Sequence, residues 1–216
     1  MQKRIPKILA GLLVVLSFIA GFWALPLLPE KVAIHWNAAG QANGFGSPLT
    51  AAFILPVVML VAFIVFLLIP KIEVYQKNLK KFEAQYWLLG LVIELFLGAV
   101  FAVTLLFNLG FEFNMNYFMV PGLALLFFVI GYLSPSFKRN YFVGIRTPWT
   151  LASEKVWDQT HKFARTVFWL AAVLVLPILV WPNQFWIWFG LSIACIVAGS
   201  FGYSYYAFQK NGRIQD

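Results

Sequence analysis

The sequence predicts an all-α integral membrane protein with six transmembrane helices, and two observations support that prediction. First, 62% of the 216 residues are hydrophobic and 11% are charged, whereas a soluble domain is about 45–50% apolar and about 25% charged. A soluble fold would leave much of this apolar surface exposed. Second, six apolar stretches of roughly 18–23 residues can each cross a ~30 Å hydrocarbon core as a helix. They are residues 8–25, 51–69, 86–108, 117–133, 163–181 and 185–208.

Helices are predicted rather than barrel strands, because the six stretches lack the alternation of apolar and polar residues that barrel strands show. The first stretch follows three cations, as in a cleaved signal peptide. It is nevertheless long enough to span the bilayer and lacks a small-x-small cleavage site, so we expect it to remain as the first span. Pro56 and Pro177 are expected to kink the second and fifth spans.

The basic residues predict the orientation. Fifteen of the sixteen Lys and Arg residues fall in alternate segments, and only Lys31 lies on the opposite side. Because cytoplasmic loops carry an excess of Lys and Arg, both termini and the second and fourth connections are predicted to be cytoplasmic. The fifteen cations are Lys3, Arg4, Lys7, Lys71, Lys77, Lys80, Lys81, Lys138, Arg139, Arg146, Lys155, Lys162, Arg165, Lys210 and Arg213.

Several function classes are not expected. The orientation explains the net charge of +8, so no direct contact with nucleic acid is predicted. Cys195 is the single cysteine, which excludes a disulfide within the chain and a zinc cluster of thiolates. The sequence contains no P-loop, dinucleotide-binding glycine pattern, zincin helix or serine elbow. We predict no catalytic residue, no cofactor and no metal site.

The predicted outward segment, residues 26–50, is one of two long connections, which in compact proteins are usually functional. Residues 32–36 favour a short strand. The next residues include four that tolerate positive φ, so a tight turn and a compact cap are expected there. The four are Asn37, Gly40, Asn43 and Gly44.

Two interpretations of this cap stay open. His35 has no second His, Cys or carboxylate at ligand spacing, so recognition of an external ligand is favoured over metal binding or catalysis. Alternatively, His35 and Trp36 only fix the loop at the membrane interface. The candidate ligand-binding residues are His35, Trp36, Asn37 and Asn43.

The predicted inward segment, residues 134–162, contains a helix start at Thr147 and Pro148, a capping residue followed by a first-turn proline. A helix from about residue 148 would place three titratable side chains along one stripe, at i, i+4 and i+7. These are Glu154, Asp158 and His161.

The stripe has two interpretations. It suits a divalent metal or proton movement, but pairing with nearby cations explains it more simply, and those cations are Arg146, Lys155, Lys162 and Arg165. Trp149, Val156 and Phe163 would form an apolar face, which is typical of an interfacial amphipathic helix resting against the bundle.

Glu94 is the charged residue predicted to lie inside a span, which makes it a functional candidate. Gly90 and Gly98 flank it, so we expect close approach of another helix and a carboxyl group inside the bundle, protonated or paired with a cation. A buried structural acid is the alternative. In the last span, small residues recur every four positions and favour close packing within the bundle or between protomers. They are Ala194, Ala198 and Gly202.

Both long connections resemble those of the SdpI/YfhL family. The pair Leu-Pro at residues 28–29 and the triplet His-Trp-Asn at residues 35–37 resemble its N-terminal domain of unknown function. The inward segment carries a longer signature, which we call the signature residues: Asn140, Gly144, Arg146, Thr147, Pro148, Trp149, Thr150, Glu154, Trp157 and His161.

The resemblance implies a bacterial plasma-membrane immunity protein that protects its cell from a membrane-active toxic peptide. It also implies a receptor that sequesters a transcription repressor. The expected partners are therefore membrane lipid, a toxic peptide that contacts the outward cap, and a cytoplasmic repressor that contacts the signature residues. The expected units are an N-terminal two-helix unit, residues 1–70, and a four-helix unit of the family type, residues 71–216.

Two alternatives come from other classes. A small proton-coupled transporter or exporter would use Glu94. A membrane-embedded enzyme would use a metal bound by Glu154, Asp158 and His161.

Overall fold

The computed structural model describes residues 4–211. Within them, six helices are long and apolar enough to cross a membrane, which confirms the all-α class and the number of spans. Of the cations used to predict the orientation, Lys3 and Arg213 lie outside the described residues. The orientation itself stays a prediction. The six spans are Ile5–Leu27, Pro48–Ile72, Glu83–Asn108, Asn116–Ser136, Glu154–Leu179 and Pro182–Asn211.

Ten helices and strands, apart from short 3-10 turns, make up the described chain. They are α1 (Ile5–Ala24), β1 (Val32–Trp36), β2 (Ala42–Gly46), α2 (Pro48–Ile72), α3 (Gln76–Lys81), α4 (Glu83–Asn108), α5 (Asn116–Leu133), α6 (Pro148–Ala152), α7 (Glu154–Leu174) and α8 (Phe185–Asn211). The strands lie at one end of the bundle, which we call the hairpin end. The other end carries α3, α6 and most cations, and we call it the basic end.

The first three spans pack closely because α1 presents small residues to its neighbours. Its buried stripe includes Ala10, Gly21 and Ala24. A Cβ on Gly21 would overlap the backbone oxygen of Ala52, so α1 and α2 are nearly in backbone contact. Ala24 packs with Phe101 of α4. The third span thus contacts the first two and also α5, and the division at residue 70 stays a prediction.

In the last three spans, α7 is the central helix and packs on both α5 and α8. Gly199 of α8 lies against Val167, and Phe163 stacks on Tyr203 with ring centroids 4.1 Å apart. At the hairpin end, Val120 of α5 joins the buried cluster that closes this half of the bundle.

The small-residue stripe of the last span does not pack within this chain, so that part of the prediction is wrong. Ala194, Ala198 and Gly202 are exposed. The helix instead buries Ser192 and Ser204, whose hydroxyls donate to backbone oxygens within α8. A hydroxyl in hydrocarbon is costly, which explains why the serine face rather than the alanine face turns inward.

Two boundaries of the fifth span were also predicted wrongly. Its α-helix begins at Glu154 rather than at residue 163, and it ends at Leu174. Pro177 therefore does not kink an α-helix but stands in a 3-10 turn, Leu176–Leu179, that follows it. A proline ring clashes with the carbonyl four residues earlier, which favours this ending. Pro56 lies inside α2 as expected.

The predicted strand is confirmed with the same bounds, Val32–Trp36, and it pairs antiparallel with β2, a strand that was not predicted. Of the four residues that tolerate positive φ, only Gly40 adopts it, at 77°. Asn37 instead accepts hydrogen bonds through its side chain from the backbone N–H groups of Ala39 and Gln41, both at 3.0 Å. The predicted tight turn after the strand is therefore present as an Asx-type turn.

Side-chain amides from the second half of the chain hold the hairpin on the bundle. The Asn108 amide accepts from the Ala33 N–H at 2.7 Å and donates to the Ala33 oxygen at 2.9 Å. Asn114 donates to the oxygen of Ala39 at 2.8 Å. Asn116, which is buried, makes a similar bond to the hairpin backbone. The hairpin is therefore fixed over the ends of α4 and α5.

We predict that Asn108→Ala lowers the free energy of unfolding by about 2 kcal/mol, because it leaves both polar groups of the Ala33 backbone without these partners. Thermal unfolding of the purified protein in detergent measures the change. Asn183→Ala is the matched control, since Asn183 is an exposed asparagine near the same end. An equal loss in both variants would contradict the assigned role of Asn108.

Candidate functional site

A cavity of about 430 Å³ lies beneath the hairpin. Its walls are mostly apolar and come from α2, α4, α5 and the start of α8, including Ile54, Val100, Met119 and Phe185. The hairpin residues Ile34–Asn37 form its cover. A cavity of this size, apolar with a few polar groups, is typical of sites for small ligands or for a side chain of a partner.

Trp36 lines this cavity and carries a buried polar group without a partner among the described residues. Its ring packs edge-on against Phe107 at 5.5 Å between centroids. Its indole Nε1 is buried, and within residues 4–211 it has no hydrogen-bond acceptor. A buried N–H donor without a partner is unfavourable, so an occupant with an oxygen acceptor would be stabilised here.

The other predicted ligand residues of the hairpin are placed differently. His35 and Asn43 are both exposed, and their side chains hydrogen-bond each other at 2.7 Å between Nδ1 and Oδ1. Asn37 is half-buried and lines the cavity, although its oxygen is already engaged in the turn. The four residues thus form a contiguous surface from the cavity rim outward.

At the basic end, the loop before α6 is folded around Asn140, which is fully buried. Its amide oxygen accepts from the N–H groups of Phe142 and Val143, at 2.9 and 2.6 Å. Its amide nitrogen donates to the oxygens of Lys138 and Val143. All of the hydrogen-bonding capacity of this side chain is used within the loop.

His161 anchors the next part of the loop. It is fully buried and stacks on Trp157 with ring centroids 4.2 Å apart. Its Nε2 accepts from the Ile145 N–H at 3.0 Å, so the ring proton resides on Nδ1, which donates to the oxygen of Trp157 at 2.9 Å. Gly144 passes directly over this ring with φ of 110°.

The predicted helix from residue 148 is interrupted, which corrects the sequence interpretation. Thr147 caps α6 in a capping box with Thr150, but the helix ends at Ala152. Ser153 is extended and caps α7 by accepting from the Val156 N–H at 3.4 Å. Serine competes with helix continuation through such bonds. The expected apolar face does rest on the bundle, where Trp149 packs against Tyr205.

The acids of the predicted stripe pair with cations other than the expected ones. Glu154 contacts Arg139 at 3.4 Å, and Asp158 contacts Lys138 at 3.2 Å. The break at Ser153 turns both acids toward the residues that follow α5. The expected partners, which were Arg146, Lys155, Lys162 and Arg165, do not pair with these acids. Within the described chain, no three His, Cys, Asp or Glu residues cluster as metal ligands.

Two residues that the sequence did not single out complete the basic end. Glu73 is 2% exposed and accepts from the N–H groups of Tyr75 and Tyr141, at 2.7 and 3.0 Å. Asn78 donates to the oxygen of Arg139 at 3.0 Å. The only sequence signal for Glu73 is its place directly after a span, and no local pattern indicates partners 60 residues or more away in the chain.

Glu94 points into the bundle, as predicted, and is 1% exposed. Gly90 and Gly98 lie against Phe66 and Met59 of α2, so the glycine-flanked face does meet another helix. No cation or hydrogen-bond partner of Glu94 occurs among residues 4–211. Of the two expected states, the protonated one fits this apolar surrounding better, because an unpaired charge there would be very costly.

We predict that Gly144→Ala lowers the free energy of unfolding by about 3 kcal/mol, since the added Cβ is strained at positive φ and overlaps the His161 ring. Gly110→Ala is the matched control, because Gly110 has φ of 102° but open space around its Cβ. It should lose only about 1 kcal/mol. Equal losses in thermal unfolding would show that the contact with His161 is unimportant.

Comparisons with known proteins agree with these placements. A model of the SdpI/YfhL protein family matches residues 136–206, which include every signature residue. A domain of unknown function (DUF1648) matches residues 12–60, which include the hairpin. No solved structure matches the chain.

A curated relative gives the longest match. The chain is 33% identical over 167 residues to Immunity protein SdpI of Bacillus subtilis (strain 168), which covers 77% of this chain and 76% of the relative. This similarity, together with the six helices that are long enough to cross a bilayer, shows that the protein is a multi-pass protein of the plasma membrane. The chain belongs to the SdpI/YfhL family.

Proposed function

We propose that the protein confers immunity, protecting a bacterial cell from a membrane-active toxic peptide by binding it rather than by catalysing a reaction. The similarity to Immunity protein SdpI supports this function. The proposed binding site for the peptide is the cavity beneath the hairpin. Its walls are apolar, and it is lined by Trp36, whose indole N–H is unpaired among the described residues.

A membrane-active peptide offers the matching chemistry. An apolar side chain of the peptide would fill the cavity between Ile54, Val100 and Met119. A backbone oxygen next to it would accept from Trp36. Tryptophan residues at the centre of an interface often contribute much of the binding energy. His35 and Asn43 would contact the peptide at the rim, where both are exposed.

The hairpin end is predicted to face the outside, which is the side from which a secreted peptide would arrive. The peptide would then be held at the membrane surface by a rigid cap, since hydrogen bonds from Asn108 and Asn114 fix the hairpin. A preformed site costs little ordering entropy on binding.

The repressor-binding part of the proposal concerns the basic end. Half of the signature residues are buried in the fold, so a cytoplasmic repressor would meet only the exposed ones. Among these, Pro148 begins α6 and Glu154 begins α7, and both side chains are exposed. Sequestration would require that peptide binding at the hairpin end changes this surface.

We predict that Val100→Phe strongly weakens protection by filling the cavity while leaving the protein folded. The measurement is survival of a Bacillus subtilis strain that lacks its own Immunity protein SdpI, expresses this chain and is challenged with the toxic peptide. The concentration of peptide that kills the cells should fall about tenfold or more, which corresponds to a loss of about 1.4 kcal/mol in the binding free energy.

Val61→Phe is the matched control, because Val61 is 54% exposed on the outer face of α2. It should retain protection. Trp36→Phe keeps the ring contact but removes the N–H, so it should weaken protection several-fold. If Val100→Phe protects as well as the unchanged protein, the peptide does not enter the cavity. If the unchanged chain does not protect at all, the proposed function fails.

The buried Glu94 favours a second candidate, a small proton-coupled transporter. Its carboxyl group has no partner among the described residues, which is typical of a group that gains and loses a proton during transport. Such a protein would protect by exporting the peptide, and it would need a titratable group at this position.

We predict that Glu94→Gln retains protection, because glutamine keeps the shape of the side chain and binding at the hairpin needs no proton exchange. Glu112→Gln, an exposed acid near the hairpin, serves as control. The same survival assay measures both variants. Loss of protection in Glu94→Gln alone, with the protein folded and present in the membrane, would favour transport over binding.

A further inference from the structure

A second cavity, of about 450 Å³, opens at the basic end between α8 and the loop before α6, residues 137–147, which we call the signature loop. Its two sides differ in chemistry. On the loop side lies Arg146, and on the helix side lie Ile196, Val197 and Phe201, with the hydroxyl of Ser200 among them. Neither the immunity proposal nor the packing of the bundle uses this cavity.

Arg146 is held in place but is not neutralised. One guanidinium nitrogen donates to the backbone oxygen of Tyr141 at 2.6 Å. Within the part of the chain that the structure describes, no carboxylate pairs with it. A guanidinium group has five N–H donors, so several remain for an anion in the cavity. The backbone bond fixes the direction of the side chain at little further entropic cost.

Ser200 is the second polar group, and it is 4% exposed. Ser200 lines the cavity, and its buried hydroxyl has no hydrogen-bond partner among residues 4–211. A buried hydroxyl without a partner is unfavourable, and nearly all such groups in proteins are satisfied by protein, water or ligand. Ser200 of α8 and Arg146 of the preceding loop both line this cavity.

The apolar wall extends to the outer surface of the bundle. Val197 and Phe201 are each 52% exposed, and both belong to the sixth span. In a membrane, both side chains would contact the hydrocarbon chains of the lipids. The cavity is therefore cationic and polar at its loop side and apolar where it opens sideways along α8.

We propose that this cavity binds an anionic phospholipid, with Arg146 and Ser200 donating hydrogen bonds to its phosphate and one acyl chain lying along Val197 and Phe201. Arginine matches phosphate oxygens with two parallel N–H groups. A free phosphate would satisfy Arg146 and Ser200 but would leave the apolar wall in contact with water. An acidic protein surface would meet Arg146 but would leave Val197 and Phe201 unmatched, since both are exposed within a membrane span.

The test is native mass spectrometry of the full-length protein in detergent micelles, with phosphatidylglycerol and phosphatidylcholine as probes. We expect the unchanged protein to bind phosphatidylglycerol about tenfold more tightly than phosphatidylcholine. Arg146→Gln should remove that preference, since glutamine can still donate to the Tyr141 oxygen but carries no charge. Ser200→Ala should weaken phosphatidylglycerol binding about threefold.

Lys155→Gln is the matched control, since Lys155 is an exposed cation at the same end but does not line the cavity. It should leave binding unchanged. Equal retention of the two lipids by the unchanged protein would overturn the proposal, as would an equal effect of Lys155→Gln and Arg146→Gln. Competition by glycerol 3-phosphate as strong as that by phosphatidylglycerol would assign the cavity to a free phosphate instead. If Arg146→Gln does not fold, unaltered phosphatidylglycerol binding by a folded Ser200→Ala variant would still refute the site.

Discussion

The structure depends on one constraint, which is that the backbone of its non-helical segments must find hydrogen-bond partners next to a bilayer. An unpaired N–H or C=O group costs several kcal/mol where water is absent. Here the partners are side chains, most of them distant in sequence. Asn108 and Asn114 hold the hairpin at one end, whereas Asn140 and Glu73 hold the signature loop at the other. Both candidate sites are bounded by segments fixed in this way.

This constraint gives several of the signature residues a structural role rather than a role in binding. Asn140 and His161 use their polar atoms entirely within the fold, and Thr147 and Thr150 cap each other in a short helix. The polar groups that the sequence pattern suggests for binding are therefore already used in hydrogen bonds within the fold. Arg146 is different, since it is exposed, it belongs to the same pattern, and no described carboxylate neutralises it.

The sequence predicts those parts of the fold that depend on local composition, and it misses those that depend on distant partners. Runs of apolar residues predicted the six spans, and residues 32–36 predicted the first strand. The second strand, Ala42–Gly46, contains two glycines and is extended only because β1 pairs with it. A helix was predicted around Glu154, but it was not joined to the fifth span, because Lys155 and Lys162 interrupt the apolar run. A helix is nevertheless free to carry cations on its exposed face.

The same difference applies to the candidate sites. His35, Trp36 and Asn37 were predicted as ligand-binding residues, and all three line the cavity, because a long loop with amphipathic side chains is a recognisable signal. Val100 and Ser200 gave no signal, since an apolar residue or a serine within a span is ordinary until its neighbours are known.

The helix α8 joins the two sites, as Phe185 lines the first cavity and Ser200 lines the second. It has the smallest buried share of the six spans, 11%. Coupling between two sites needs a movable element that both contact, and α8 is the one described helix that meets both cavities.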